Sequence, residues 1–587
     1  LSSDITPETV LSIIGERILR EAPYVPEPEI YKLLLDTAWY LFVDDFAPPP
    51  DPVDDLSRAR HTDAINRIKR ISTPEMLNEW INTVAISLAI YLNNIPDSDQ
   101  GSFKTSISVS HQMVDHITAP FRANRNPEMF AGLKRTLREN AEDKKADPLQ
   151  RVQNTQLAKL LTVSIPFGIP HSSWKEHGFL FAKSGHGKSQ TLRTIVASLL
   201  GEDCALFLLD GNGALIKDLE RIESIQDRLI ILDPDDTPAL NFFRMSVQPE
   251  QQLELYFYLF NALDQSLTPR MATMVSYLVD LMKVIPGSNL DTLRQVCEAK
   301  QFPFLEELTR LPQSAQDFFA HHFNIKDQFV STTKASLAQR LHRLSSYPKF
   351  LAMMNAPTNG FDALQAMQEK KIVIVDASRR KLGDDGSAIF GRYILAQCLA
   401  AAWQRSDRDH LALIVVDEAK AYLDQHSKKF LSDTRNFNVG LLLATQFADQ
   451  LDEGVRKEVI NNTSVKIAGP MAYSVVAQLN RDMRCDADFI LGMKKKDFDY
   501  AQWACYVDNL TPQAIRLTVP FGAIEKLPMV PLRARRAPRD HTATDTRTAA
   551  DTSAPAPRPP PAAPLKQHHE EPSDTKSPDD TDQNRWN

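Results

Sequence analysis

Phe179-Leu-Phe-Ala-Lys-Ser-Gly-His-Gly-Lys-Ser-Gln-Thr191 is the stretch on which the reading turns. A short apolar run ends in Ala182-x-x-x-x-Gly187-Lys188-Ser189, and the apolar-periodic segment Leu192 to Leu200 follows. The order is strand, loop, helix. The loop fits the phosphate-binding pattern, with Ala in place of the first Gly. Gly185 and Gly187 let the backbone curl so that successive N–H groups of Ser184, Gly185, His186, Gly187 and Gln190 face an anion. A helix starting near Lys188 adds the positive end of its dipole. Lys188 can reach the β- and γ-phosphates of a nucleotide, and the Ser189 hydroxyl can ligate Mg²⁺. A Gly-rich turn that binds nothing is the competing reading, and the strand before and helix after the loop weigh against it.

Outward from the loop, short apolar runs alternate with helical stretches, which is the mark of an α/β protein with a parallel sheet. The runs are Cys204–Asp210, Arg228–Asp233, Lys371–Asp376, Leu411–Asp417, Val439–Gln446 and Ser464–Ala468, seven strands with the first. Asp210-Gly-Asn-Gly213 is a turn at the carboxyl end of its strand, the edge where open parallel sheets bind ligands. Between the third and fourth strands, about 250–360, Leu253–Leu263, Pro269–Lys283, Leu290–Ala299 and Thr333–Leu344 read as a helical insertion.

Residues 1–150 read as a helical accessory or assembly domain, residues 151–530 as the phosphate-loop domain, and residues 531–587 as a disordered tail. The N-terminal part opens on Thr6-Pro7-Glu8, an N-cap with Pro at the first helical position, and carries further helices near Glu29–Phe42, Asp63–Arg70 and Pro74–Asn93. Phe46-Ala-Pro-Pro-Pro-Asp-Pro52 reads as a stiff linker. The charged run Arg135–Lys145 reads as a solvated helix face. The tail, with Ala554-Pro-Ala-Pro-Arg-Pro-Pro-Pro-Ala-Ala-Pro564, is too polar and proline-rich to fold alone.

Composition sets the bounds. The 587 residues, 43% hydrophobic and 24% charged, are those of an ordinary globular chain. A net charge of -8 gives no general basic coating, so any nucleic-acid contact is a local patch or a pore. The five cysteines are scattered without a C-x-x-C pair, which points to core thiols and a reducing compartment. No run of about 18 apolar residues exists, so no membrane span is expected. The first residues lack a basic n-region, so neither a signal peptide nor a location outside the cytoplasm is expected.

Leu413-Ile-Val-Val-Asp417-Glu418 is the second half of the nucleotide site. Four apolar residues deliver two carboxylates to a strand end. Asp417 can hold Mg²⁺ beside Ser189, and Glu418 is placed to act as general base on the attacking water. Gln446 ends the next strand and is a candidate to hydrogen-bond the γ-phosphate or the lytic water. Arg435 suits the charge that develops in phosphoryl transfer; a surface arginine at a helix end is the alternative. The basic loop Ser378-Arg-Arg-Lys-Leu-Gly383 fits a phosphate or neighbour contact and a solvated turn equally well.

The phosphate loop, Asp376-Ala-Ser378, Asp417-Glu418-Ala419 and Ala444-Thr-Gln446 occur in the order typical of the HerA/FtsK superfamily of P-loop NTPases, which are RecA-like. Asp210-Gly-Asn-Gly213, Ile231–Asn241 and the helical insertion look most like its conjugative coupling-protein and type IV secretion ATPase branches. The resemblance covers about 167–520 and implies an ATP-driven ring motor, usually a hexamer, that threads DNA through its pore. By resemblance Arg435 matches the arginine inserted into the neighbour's site, and Gln446 the sensor glutamine. Coupling proteins commonly carry N-terminal membrane helices, and this chain shows none, so attachment to a membrane secretion complex falls to a partner. Two other functions share these motifs: a secretion motor acting on protein, and an assembly protein whose ring is closed by nucleotide.

Overall fold

The computed structural model describes residues 7–21, 28–43, 66, 73–93, 105–108, 112–139 except 128, 152, 156–244 except 164 and 237, 255–256, 258–259, 269–299, 302–323, 328–344, and 347–531 except 425–427, 447 and 449–450. The expected linker 46–52, almost all of the helix at 63–70, much of the helix at 253–263 and the tail beyond residue 531 lie outside the described residues.

Twelve strands form one sheet among the described residues: β1 (Thr105–Ser108), β2 (Ile165–Phe167), β3 (Gly178–Phe181), β4 (Ala205–Asp210), β5 (Leu229–Leu232), β6 (Ile372–Asp376), β7 (Ala412–Asp417), β8 (Val439–Thr445), β9 (Val465–Ala468), β10 (Lys495–Lys496), β11 (Tyr500–Val507) and β12 (Ile515–Pro520). The order is β2-β1-β12-β11-β9-β3-β8-β7-β4-β6-β5, with β10 paired to β11. From β9 to β5 every pairing is parallel. These are the seven strands expected from the apolar runs. The antiparallel extension β11-β12-β1-β2 and the short β10 are additions to that reading. β1 lies within the stretch read as helical.

The parallel strands are continuous apolar runs because both their faces are covered. Every residue of β4 and β7 is buried. Successive side chains point to opposite faces. Phe207, Leu209, Ile414 and Val416 join one core cluster with insertion residues such as Leu278, Leu293 and Phe350. Leu206, Leu208, Leu413 and Val415 join a second, which runs through Leu192 and Ile195 of the phosphate-loop helix to Trp80, Phe42 and Phe130. Trp80 there meets Phe42 at 5.5 Å and Phe130 at 5.7 Å between ring centroids. The insertion helices thus cover one face of the sheet. The phosphate-loop helix and the N-terminal helices Pro7–Glu21, Pro28–Val43 and Pro74–Leu92 cover the other.

All five cysteines are buried free thiols, as the scattered spacing implied. No helix among the described residues is long and apolar enough to cross a membrane.

Because β3 to β9 run in one direction, their carboxyl ends share one edge. β8 lies between β3, which feeds the phosphate loop, and β7, which ends in Asp417. Asp210 is in register with both Asp376 and Asp417, so three carboxylates stand side by side on that edge.

Candidate nucleotide site

The loop after β3 leads into the helix Lys188–Leu199. Gly185 has φ of 79° and Gly187 φ of 103°, the left-handed conformations the curl needs. A Cβ on Gly187 would also stand 2.9 Å from the Phe521 ring and 3.2 Å from Ala501. The loop is pinned from outside. Lys183 N–H donates to the Pro470 carbonyl at 2.8 Å, and His186 Nε2 lies 2.9 Å from the Gln502 carbonyl. His186 packs edge-on against Trp503 at 4.9 Å. The pins come from the segment after β9 and from β11, elements whose sequence carries no nucleotide motif, and so were not foreseen.

Lys188 is 5% exposed, and its Nζ donates to Asp417 Oδ1 and, at 3.1 Å, to Glu418 Oε1. Gln446 Nε2 donates to the same Glu418 Oε1 at 2.7 Å. The loop lysine, both acids and the glutamine therefore meet, though they come from three strands. Glu418 sits in a left-handed turn, φ 57° and ψ 47°, directly after β7. That turn lets both adjacent acids reach Lys188.

Burial pushes the Asp417 carboxyl up, and the Lys188 ammonium opposes that shift. Burial, then the neighbouring Asp417 charge, pushes Asp210 up as well. Asp210 accepts from the N–H groups of Asn212 at 2.7 Å, Leu215 at 2.7 Å and Ile216 at 3.2 Å, so it organises the turn after β4.

The residues present fit Mg²⁺. Asp417 is 1% exposed, and its Oδ2 is buried without a hydrogen-bond partner. A carboxylate oxygen and the Ser189 hydroxyl are the hard oxygen donors that Mg²⁺ takes, with water completing its shell. Ser184 and Gly185 are exposed, while Ser189 and Gln190 are half-buried. Gln190 Oε1 accepts from Gly522 N–H at 3.5 Å, a long contact that ties the loop helix to the chain after β12.

Arg435 is not part of this constellation. It sits in the turn Thr434–Phe437 that precedes β8, exposed, with Nη2 3.3 Å from Asn462 Oδ1. Gln446 follows the far end of the same seven-residue strand. At ~3.3 Å per residue the two are roughly 20 Å apart along the sheet. Buried His177 braces the Arg435 segment from within. Its Nδ1 accepts from Leu441 N–H at 3.1 Å, which leaves Nε2 to donate to the Leu431 carbonyl at 3.1 Å. Burial lowers the His177 imidazole to about 4, so it stays neutral at pH 7.

Residues 379–383, expected as a basic loop, instead open the helix Arg379–Gln404, which kinks at Gly383, and their side chains behave in two ways. Arg379 and Arg380 are exposed. Lys381 turns inward to Asp233 Oδ1 and Asp376 Oδ2, both at 2.6 Å, and Asp235 Oδ2 at 3.0 Å. Burial opposes its charge, yet those three carboxylates raise the ammonium above its usual value. Lys381 therefore cross-links the ends of β5 and β6, and Lys349 of the insertion joins the cluster through Asp235.

No family model and no curated protein matches the sequence. Among solved structures the chain is similar to an unbound form of the bacterial conjugative coupling protein TrwBdeltaN70, at 13% identity over 61% of this chain and 87% of that one, TM-score 0.46. It is similar to plasmid coupling protein TrwB in complex with ADP and Mg²⁺, at 15% identity over 64% and 90%, TM-score 0.45. A third is VirB4 of Thermoanaerobacter pseudethanolicus, at 13% identity over 61% and 93%, TM-score 0.43. On its own geometry the chain has the architecture of a P-loop NTPase: a mostly parallel sheet with the phosphate loop and an acid-bearing strand end on one edge.

Proposed function

We propose that this chain hydrolyses ATP with Mg²⁺ and uses the energy as a ring motor, a hexamer in the resemblance, that moves DNA. The observation that carries the ATPase reading is the convergence of Lys188, Asp417, Glu418 and Gln446 within hydrogen-bond reach on one sheet edge. The loop amides and Lys188 bind the β- and γ-phosphates, which draws Lys188 off the acids. Glu418, still held by Gln446, takes a proton from the water that attacks the γ-phosphorus. The bond to the ADP oxygen breaks as the new P–O bond forms. Ser189 and Asp417 would hold Mg²⁺, which would supply positive charge beside the phosphates.

The placement of Arg435 supports a ring. It stands at the strand end opposite its own pocket, where a neighbouring subunit's site can receive it. A heterologous contact repeated around an axis closes a ring. Mixing Arg435→Ala subunits with Lys188→Ala subunits should restore part of the ATPase activity that each lacks alone. No rescue in rings verified to be mixed would remove the trans role.

DNA as the cargo rests on the order of motifs, from the phosphate loop through Asp376 and Asp417-Glu418 to Gln446. ATPase activity should rise on adding DNA, and DNA binding should weaken steeply as salt increases. Stimulation by polypeptide with none by DNA would reassign the motor to protein cargo. ATP-dependent ring formation that survives Glu418→Gln, with no stimulation by either polymer, would favour an assembly role. In this reading the motor works on the cytoplasmic side, and a partner can recruit it to the inner face of a membrane.

A further inference from the structure

A positive charge distant in sequence faces the phosphate loop. Lys495 of β10 lines a cavity of about 300 Å³ with Lys183, Ser184, Gly185, His186 and Met493. An adjoining cavity of about 180 Å³ is lined by the same Lys183 and Ser184 together with Gln446. Gln446 holds Glu418, so the Lys183–Ser184 corner is the terminal-phosphate end of the loop. Lys495 and Gln446 thus line two cavities that share that corner. After burial, Lys183 and then Lys495 hold the His186 imidazole below its usual value, so the Lys495 charge is felt at the loop.

Lys495 Nζ pairs with Asp497 Oδ1 at 2.7 Å, and that carboxylate is 75% exposed. A solvent-screened pair within one hairpin is weak and exchangeable. A triphosphate on the loop is the stronger partner for an ammonium beside it. The hairpin that carries Lys495 is tied to the loop. Gln502, whose carbonyl meets His186, donates its N–H to the Lys494 carbonyl at 2.7 Å. Phe521, whose ring abuts Gly187, donates its N–H to the Asp499 carbonyl at 2.8 Å. At the hairpin tip Phe498 is 99% exposed in a left-handed conformation, φ 61°.

We propose that Lys495 contacts the terminal phosphate of the bound nucleotide, exchanging Asp497 for it, so that the hairpin from Lys494 to Tyr500 moves with nucleotide state. This rests on reading the loop as a triphosphate site. The test measures dissociation constants of a slowly hydrolysed ATP analogue and of ADP, both with Mg²⁺, on the full chain and on Lys495→Ala, Lys495→Arg and Lys188→Ala. Lys495→Ala should weaken the ATP analogue roughly tenfold or more and ADP by less than about twofold, with Lys495→Arg close to the parent. A Phe498→Trp reporter should change emission on adding the analogue, and the change should vanish when Lys495→Ala is combined with it. Equal weakening of both nucleotides, or no weakening of either, overturns the proposal. If Lys188→Ala loses both nucleotides while Lys495→Ala is silent, the proposal alone falls. If Lys188→Ala binds both normally, the triphosphate site falls and the proposal with it.

Discussion

Glu418→Gln should bind ATP with an affinity within a few-fold of the parent and turn it over roughly 10²–10⁴ times more slowly, the usual contribution of a positioned general base. The reason lies in how Glu418 is held. Its Oε1 accepts from Lys188 and from Gln446, and an amide oxygen in the same place can still accept both bonds. The substitution removes the basicity and keeps the shape. It also removes a negative charge from beside the place where a third phosphate must sit, which favours retention of ATP. Single-turnover and steady-state hydrolysis, with nucleotide binding measured separately, divide these effects. Parent-like turnover would take the base role away from Glu418.

Lys188→Ala should have the other large effect, in two measurements that move together. Nucleotide affinity should fall by roughly two orders of magnitude or more, as expected when one partner of a desolvated charged contact is removed. The nucleotide-free protein should also be destabilised. Lys188 is the cation paired with two buried carboxylates, and breaking a buried pair costs about 3–5 kcal/mol. Mg²⁺ should recover part of the lost melting temperature, because Asp417 Oδ2 already lies buried without a hydrogen-bond partner and the substitution strips a cation from Oδ1. A variant that melted like the parent and bound ATP like the parent would show that the contacts of Lys188 carry neither role.

Much of this architecture was legible along the chain for a physical reason. Parallel strands covered on both faces must be runs of aliphatic residues, and Leu413-Ile-Val-Val416 and Leu206-Phe-Leu-Leu209 are such runs. The phosphate loop is local: strand, glycines, lysine and helix fall within a few residues. The antiparallel extension was harder to see. β1 is Thr-Ser-Ile-Ser, β10 is a pair of lysines, and β11 mixes Gln502 among aromatic and small residues. β1 and β10 present no apolar run, and the run Trp503–Val507 of β11 carries no motif; β10 is held by its local hairpin with β11, whereas β1 and β11 pair with strands distant in sequence.

The site divides the same way. Asp417 and Glu418 declare themselves at a strand end. That Gln446 would grip Glu418 follows from β8 lying between β3 and β7, a strand order no local pattern encodes. Lys381 shows the converse: a basic turn in sequence, it is claimed by Asp233, Asp235 and Asp376 from strand ends the sequence keeps far apart. The loop motif assigns His186 and Gly187 to the anion, yet Gln502 and Phe521 also make them the joint between the loop and the antiparallel strands.

The direct measurement is a structure of Glu418→Gln with ATP and Mg²⁺. The γ-phosphate should lie between Lys188 and residue 418, with the loop amides around the β-phosphate, a metal ion between Ser189 and Asp417, and Lys188 withdrawn from both strand-end positions. Nucleotide bound elsewhere, or on the loop with Asp417 and residue 418 turned away from the phosphates and no metal between, would contradict a single pocket built from these two distant segments.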